Sequence, residues 1–313
     1  MKKILITGGN GLVGVATKAS FIKSGYKVYS PTSKEVDLTI KKQFDELLND
    51  INPDGIIHLA AKVGGVKSNS NQLYDYYKTN HLINENVIDC SIKNKTKKIV
   101  SLLSTCVYPD SGYVRYPLTE EQLHLGPPHD SNFGYAYAKR MVDVMSRSAR
   151  IQHGCNFVTA IPNNIFGEND NFDLEHSHVV PALIRKIYEA KLNNQNSVEV
   201  WGDGSPLREF TYSKDIGQLL LWVYENYNEE TPINIGNTNE ISIKNLVENL
   251  VNIIDYKGNI IYNSSKLSGQ FRKPSSNQKL RKLGCDFEYT EINQALRKTC
   301  EWFDGHYPNI RGI

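Results

Sequence analysis

The sequence predicts an α/β fold, a doubly wound parallel sheet with a smaller α/β lobe, and three observations carry that prediction. Short β-branched runs alternate with stretches of helical period through the first half, and such alternation builds βαβ units. The first run ends in Gly8-x-x-Gly11-x-x-Gly14, a turn that opens a helix and marks the sheet as Rossmann-type. After about Pro162 the alternation loosens, and Pro, Gly and Asn gather between shorter pieces.

Taken in order, Lys3–Thr7 reads as the first strand and Val13–Lys23 as the helix behind the turn, with Gly25 just past its end. Tyr26–Tyr29, Gly55–Leu59, Lys98–Leu103 and Phe157–Ile161 read as further strands. Between them, Phe44–Ile51, Tyr74–Lys93 and Gly134–Arg150 have helical spacing. Later, Val180–Ala190, Asp215–Glu225, Ile243–Ile254 and Glu291–Phe303 read as helices and Val198–Trp201 as a strand. This divides the chain into a dinucleotide-binding domain over 1–163, with returning segments at about 196–236, and a smaller lobe over 164–313.

Composition narrows the class. Of the 313 residues, 40% are hydrophobic and 22% charged, the balance of a globular protein. A net charge of +2 gives no electrostatic drive toward nucleic acid or membrane. No apolar run reaches spanning length, and Met1-Lys2-Lys3 leads into a strand pattern instead of a signal peptide. Five scattered cysteines lack metal-ligand spacing, so no metal is expected and a reduced, cytoplasmic compartment is the simplest reading.

Glycines between a strand and a helix let backbone approach a pyrophosphate, and the helix N-terminus offers free N–H groups to it. The second strand ends Tyr29-Ser30-Pro31-Thr32-Ser33-Lys34, with hydroxyls and a lysine where an NAD site usually has an acid. Ser33 and Lys34 therefore favour the 2′-phosphate of NADP(H) over NAD, with a polar surface loop as the plain alternative. Asp37 and Leu38 lie within reach of an adenine.

Tyr135 and Lys139 are one helical turn apart and share a face. A Tyr there gives a proton to a carbonyl oxygen as hydride arrives. The Lys holds the cofactor ribose and is expected to lower the phenol's pKa. Ser104, at the end of the fourth strand, is placed to hydrogen-bond the same oxygen. Cys106 is two residues on, where plain reduction has no use for a thiol, and where packing is the commoner role.

Seven stretches carry a closer resemblance. They are His58-Leu-Ala-Ala-Lys-Val-Gly-Gly65, Ser104-Thr-Cys-Val-Tyr-Pro-Asp110, Asn132-Phe-Gly-Tyr-Ala-Tyr-Ala-Lys-Arg140, Ile161-Pro-Asn-Asn-Ile-Phe-Gly167, Ser177-His-Val-Val-Pro-Ala182, Val200-Trp-Gly-Asp-Gly204 with Arg208, and Gly269-Gln-Phe-Arg-Lys273. On these the chain resembles the extended short-chain dehydrogenase/reductases, and within them the GDP-L-fucose synthase family. The resemblance implies 3,5-epimerisation of GDP-4-keto-6-deoxy-D-mannose followed by NADPH-dependent 4-reduction. It implies Cys106 as base and His178 as acid, with His176 a nearby decoy, and Tyr135 and Ser104 holding the enolate oxygen. It implies a cofactor site of Gly8, Gly11, Leu12, Val13, Gly14, Ser33, Lys34, Asp37, Leu38, Ala60, Ala61, Lys139, Pro162, Asn164 and His178. Asn164, Lys186, Trp201, Arg208, Arg272 and Lys273 are expected near the GDP-sugar. A homodimer on the helices of Tyr74–Lys93 and Tyr135–Arg150 is implied as well. The rival readings are a reductase or partial epimerase of a related nucleotide keto sugar or heptose, a 4,6-dehydratase, and an idle NADP(H)-binding relative.

Overall fold

A computed structural model describes residues 1–265 and 270–313; Gly269 of the last motif lies outside the described residues. The chain opens with β1 (Lys3–Thr7), α1 (Leu12–Lys23), β2 (Lys27–Tyr29), α2 (Lys41–Ile51) and β3 (Gly55–His58). It continues through α3 (Val66–Asn71), α4 (Leu73–Lys93), β4 (Lys98–Leu102), α5 (Phe133–His153) and β5 (Asn156–Ile161). Then come β6 (Asn164–Phe166), α6 (Val179–Leu192), β7 (Ser197–Trp201), β8 (Leu207–Tyr212), α7 (Ser213–Asn226) and β9 (Ile233–Asn234). The remainder is β10 (Glu240–Ser242), α8 (Ile243–Ile254), β11 (Asn259–Asn263), α9 (Gln278–Lys282) and α10 (Ile292–His306).

The main sheet has six parallel strands in the order β2-β1-β3-β4-β5-β9. Its central strands are largely apolar because both faces are covered. Ile4, Ile6, Ile57, Val100 and Val158 pack on one face with Phe21 of α1 and Ile216 and Leu220 of α7. Leu5, Ile56, Ile99 and Phe157 point the other way, against Phe44, Val87 and Ala149 of α2, α4 and α5. The order reverses between β1 and β3, so their carboxyl ends open a crevice there.

The smaller lobe has its own core. Leu183 and Ile187 of α6, Leu246 and Leu250 of α8, and Leu296 and Phe303 of α10 close over β7 and β8. The segment 196–236 is shared between the sheets and their surroundings. Ser197–Trp201 pairs with β11 and Leu207–Tyr212 with β6 and β10, so only α7 and β9 come back to the main sheet. Alternating polar positions on β7 suit a two-stranded sheet with one wet face, which is why it does not join the buried sheet.

Helices α1 and α7 meet backbone to backbone at Gly217. A Cβ there would lie 2.7 Å from the carbonyl carbon and oxygen of Ala16 and 2.9 Å from Thr17 N. Gly217→Ala should cost about 1–3 kcal/mol by wedging the two helices apart. Denaturant unfolding checks this, and an unchanged midpoint would contradict the contact.

Candidate active site

One cleft of about 770 Å³ runs from the glycine turn to the smaller lobe and contains Ser104, Cys106, Tyr135, Lys139 and His178. At its sheet end, Gly8 takes φ +69° and its carbonyl accepts the Gly11 N–H at 3.1 Å. A Cβ on Gly14 would sit 2.3 Å from Gly8 O and 2.4 Å from Gly9 Cα, so only glycine lets α1 start this close to the turn. Gly11 is different. Its Cβ would meet only Gly8 O at 3.5 Å, so the fold tolerates a side chain there and the bare backbone faces the cleft. That cradle, at the N-terminus of α1, fits a dinucleotide's pyrophosphate.

Beyond it the cleft takes in Ser33, Asp37, Leu38, Ala60, Ala61 and Pro162, and Leu12 and Val13 complete its lining near the turn. Lys34 is exposed and does not line it. The Thr32–Glu35 turn is closed by the Glu35 carboxylate, which accepts Thr32 N–H at 2.7 Å. Asp37 is engaged with its own chain, accepting from the backbone and hydroxyl of Thr39 at 2.9 and 2.8 Å.

The first turns of α5 carry the candidate reductive pair, Tyr135 and Lys139. Lys139 is 2% exposed and donates from Nζ to Leu102 O at 2.8 Å, and burial pulls its ammonium down to about 8. Tyr135 is half-buried at the cleft wall. Burial first, then the Cys106 and Tyr76 side chains, push its phenol well above the ordinary value. This differs from the lowering expected from Lys139. The ammonium is aimed at a carbonyl on β4 instead, and desolvation disfavours the phenolate. The shift favours the protonated phenol.

Ser104 caps a single 3-10 turn over Thr105–Val107, its Oγ accepting Cys106 N–H at 3.3 Å. Thr105 N donates to Pro162 O at 3.1 Å, tying this turn to the end of β5. Cys106 is thereby held half-buried on the cleft wall instead of packed in the core. Across the cleft, His178 stands at the N-cap of α6. Its edge is open to solvent, yet the surrounding walls desolvate the ring enough to lower its pKa. Among the described residues, its ring makes no hydrogen bond to protein. His176 does: its Nδ1 is 2.8 Å from Asp173 Oδ1, which leaves His178 the free imidazole of the two.

Of the residues expected at a nucleotide sugar, Asn164, Arg208 and Lys273 line the cleft. Asn164 is oriented by donating Nδ2 to Glu209 O at 2.8 Å, and Arg208 by donating to Leu207 O at 2.7 Å. Burial lowers the Lys273 ammonium, opposed by the nearby Cys106 thiol and Asp110 carboxyl. Lys186, Trp201 and Arg272 do not line it. The Lys186 ammonium lies 5.2 Å over the Trp201 ring, and Arg272 grips Glu240 through Nε at 2.8 and 2.9 Å.

Sequence reading missed Asn163 and Glu209. Asn163 donates to Glu209 Oε2 at 3.1 Å and accepts from Thr211 at 2.6 Å, while Ser275 donates to the same carboxylate oxygen at 2.6 Å. This buried knot joins β8 to the segment bearing Lys273. A glutamate beside Arg208 in the run Leu207–Tyr212 gave no signal of burial.

A model of the NAD dependent epimerase/dehydratase family matches residues 4–236. A GDP-L-fucose synthase of Dictyostelium discoideum is 40% identical, covering 99% of this chain and 98% of that protein. The chain belongs to the GDP-L-fucose synthase family, within those epimerase/dehydratases. A crystal structure of a GDP-L-fucose synthetase from Naegleria fowleri bound to NADP superposes with TM-score 0.92 at 39% identity, covering 99% and 95% of the two chains. A GDP-mannoheptose C4 reductase of Campylobacter jejuni is further off, at 29% identity and TM-score 0.87 over 97% and 98%.

The two glycines separate folding from binding. Gly14→Ala should destabilise the protein by about 1–3 kcal/mol or more. Gly11→Ala should melt like the parent and weaken dinucleotide binding about tenfold or more. Thermal unfolding and a fluorescence titration measure the two effects, and equal behaviour of the variants would contradict the assignment.

Proposed function

We propose that this chain epimerises C3 and C5 of GDP-4-keto-6-deoxy-D-mannose and then reduces C4 with NADPH, giving GDP-L-fucose. The single observation that carries it is a thiol and a free imidazole facing the same cleft as the Tyr135–Lys139 pair. Residues 1–163 with the return through α7 and β9 would form the NADP(H) domain, and the rest the GDP-sugar lobe. Family membership and the likeness to the NADP-bound synthetase support the cofactor.

A ketone at C4 acidifies the hydrogens at C3 and C5. Cys106 takes such a proton, and Tyr135 and Ser104 hydrogen-bond the oxygen as the enolate forms. His178 returns a proton to the opposite face. Its lowered pKa leaves it neutral in the open cleft, and the negative charge of a bound diphosphate would draw a proton back onto it. NADPH supplies the hydride for C4. Tyr135 then gives its phenolic proton to the C4 oxygen, and Lys139, at about 8 still largely an ammonium at neutral pH, steadies the resulting phenolate.

Arg208 and Lys273 are the cations proposed for the diphosphate, with Asn164 at the sugar. Lys186 and Trp201, stacked on each other, would take part only at the guanine end. Two copies are proposed to pair through α4 and α5, whose outer faces expose Tyr77 and Val144. No helix among the described residues is long and apolar enough to cross a membrane, and a cytoplasmic location is proposed on the five free thiols.

Turnover with NADPH and the keto sugar, with the product compared to authentic GDP-L-fucose, tests the reading. Tyr135→Phe should lower reduction about 10²–10⁴-fold while binding is kept. Cys106→Ser should lose GDP-L-fucose formation and still consume NADPH slowly on the unepimerised ketone. No NADPH oxidation by the parent enzyme would refute the proposal.

A further inference from the structure

A buried polar chain beneath the cleft joins its cofactor end to its catalytic helix. Thr7, the last residue of β1, accepts the Leu59 and Ala60 N–H groups on its hydroxyl oxygen, each at 3.2 Å. Its proton is then left for His58 Nδ1, 2.8 Å away. With Nδ1 an acceptor, Nε2 carries the proton and donates to Asn84 Oδ1 at 3.0 Å. Asn84 Nδ2 finally donates to Ala138 O of α5 at 3.1 Å. Thr7, His58 and Asn84 are 2%, 1% and 1% exposed, so water does not compete for any of these bonds.

The two ends of the chain are the two halves of the chemistry. Thr7 precedes Gly8, and Ala60 N lies 2.8 Å from where a Gly8 Cβ would be, so this end is the floor of the glycine turn. Ala138 is the peptide between Tyr135 and Lys139. Its carbonyl, besides its helical partner, accepts a bond from α4. The chain works only with a neutral imidazole, because a cation could not accept from Thr7. Burial, helped by the Lys139 ammonium close by, keeps His58 neutral by pulling its pKa down to about 3.

We infer that His58 is a positioning residue, which through Thr7 and Asn84 sets the Tyr135–Lys139 helix in register with the dinucleotide turn. Reduction depends on that register, since hydride donor and proton donor must meet one carbonyl from different elements. A displacement of about 1 Å can cost on the order of 10²-fold in such a step. Cys106 and His178 hang from other supports, the Pro162-anchored turn and the start of α6, and Ser104 shares the enolate oxygen with Tyr135, so proton exchange loses less to the same slip. The inference rests on the function proposed above.

His58→Phe keeps a ring and removes both bonds; His58→Gln offers an acceptor and a donor on one side chain. In His58→Phe, kcat for 4-reduction should fall about 10–100-fold, with NADPH affinity and the KM for keto sugar within about twofold. Deuterium entry at C3 and C5 in heavy water should fall less, so the ratio of exchange to reduction rises. Glutamine should restore much of kcat. Asn84→Ala, which severs the chain one bond further on, should show the same split if His58→Phe fails to fold. A kcat within twofold of the parent would overturn the inference. So would losses of melting temperature, cofactor affinity and kcat in equal proportion that glutamine does not repair. A parent enzyme without keto-sugar turnover would instead sink the functional reading, and this inference with it.

Discussion

The cleft exists because backbone touches backbone where β1 turns into α1. With a hydrogen as its whole side chain, Gly14 lets α1 begin against the Gly8–Gly9 peptide, leaving no room for a methyl. From that contact follows the direction of α1, whose N-terminus faces the crevice between β1 and β3. Gly217 repeats the device on the far side of α1, where α7 returns from the smaller lobe and fixes the helix from behind. The carboxyl ends of β3, β4 and β5 then deliver Ala60, Ser104 and Pro162 to one opening.

Onto this frame the chain sets groups with different tolerances. The candidate reductive pair sits on the sheet side, with Lys139 buried and bonded to Leu102 O and the Tyr135 phenol pushed up by burial. The candidate proton-transfer pair sits on a short turn and a helix start, with Cys106 half-buried and His178 open to solvent. A phenol that must donate is best desolvated. A base and an acid that must exchange protons with solvent between turnovers are best near water.

Much of this was legible in the sequence where period and special residues agree. The fold class, the parallel strands and the long helices could be read because both sheet faces are buried; Tyr74–Lys93 against the observed Leu73–Lys93 is typical. The three-residue strands β6 and β10 and the polar-flanked β11 could not, because short pairs are made by tertiary contact and carry no periodicity of their own. Residues fixed by local geometry, such as the glycines and Tyr135 with Lys139, line the cleft together. Cations did not follow as reliably: a long side chain goes to its strongest partner, which is Glu240 for Arg272 and the Trp201 ring for Lys186. The role of His58 was also hidden, since only the fold brings Thr7 and Asn84 to either side of its ring.

Two chemistries in one cleft is the central claim, and proton NMR of the reaction in heavy water with NADPH tests it most directly. The expected product is fucose carrying deuterium at both C3 and C5. Reduced product without deuterium at either carbon would contradict it, leaving a plain 4-reductase in which Cys106 and His178 only line the wall.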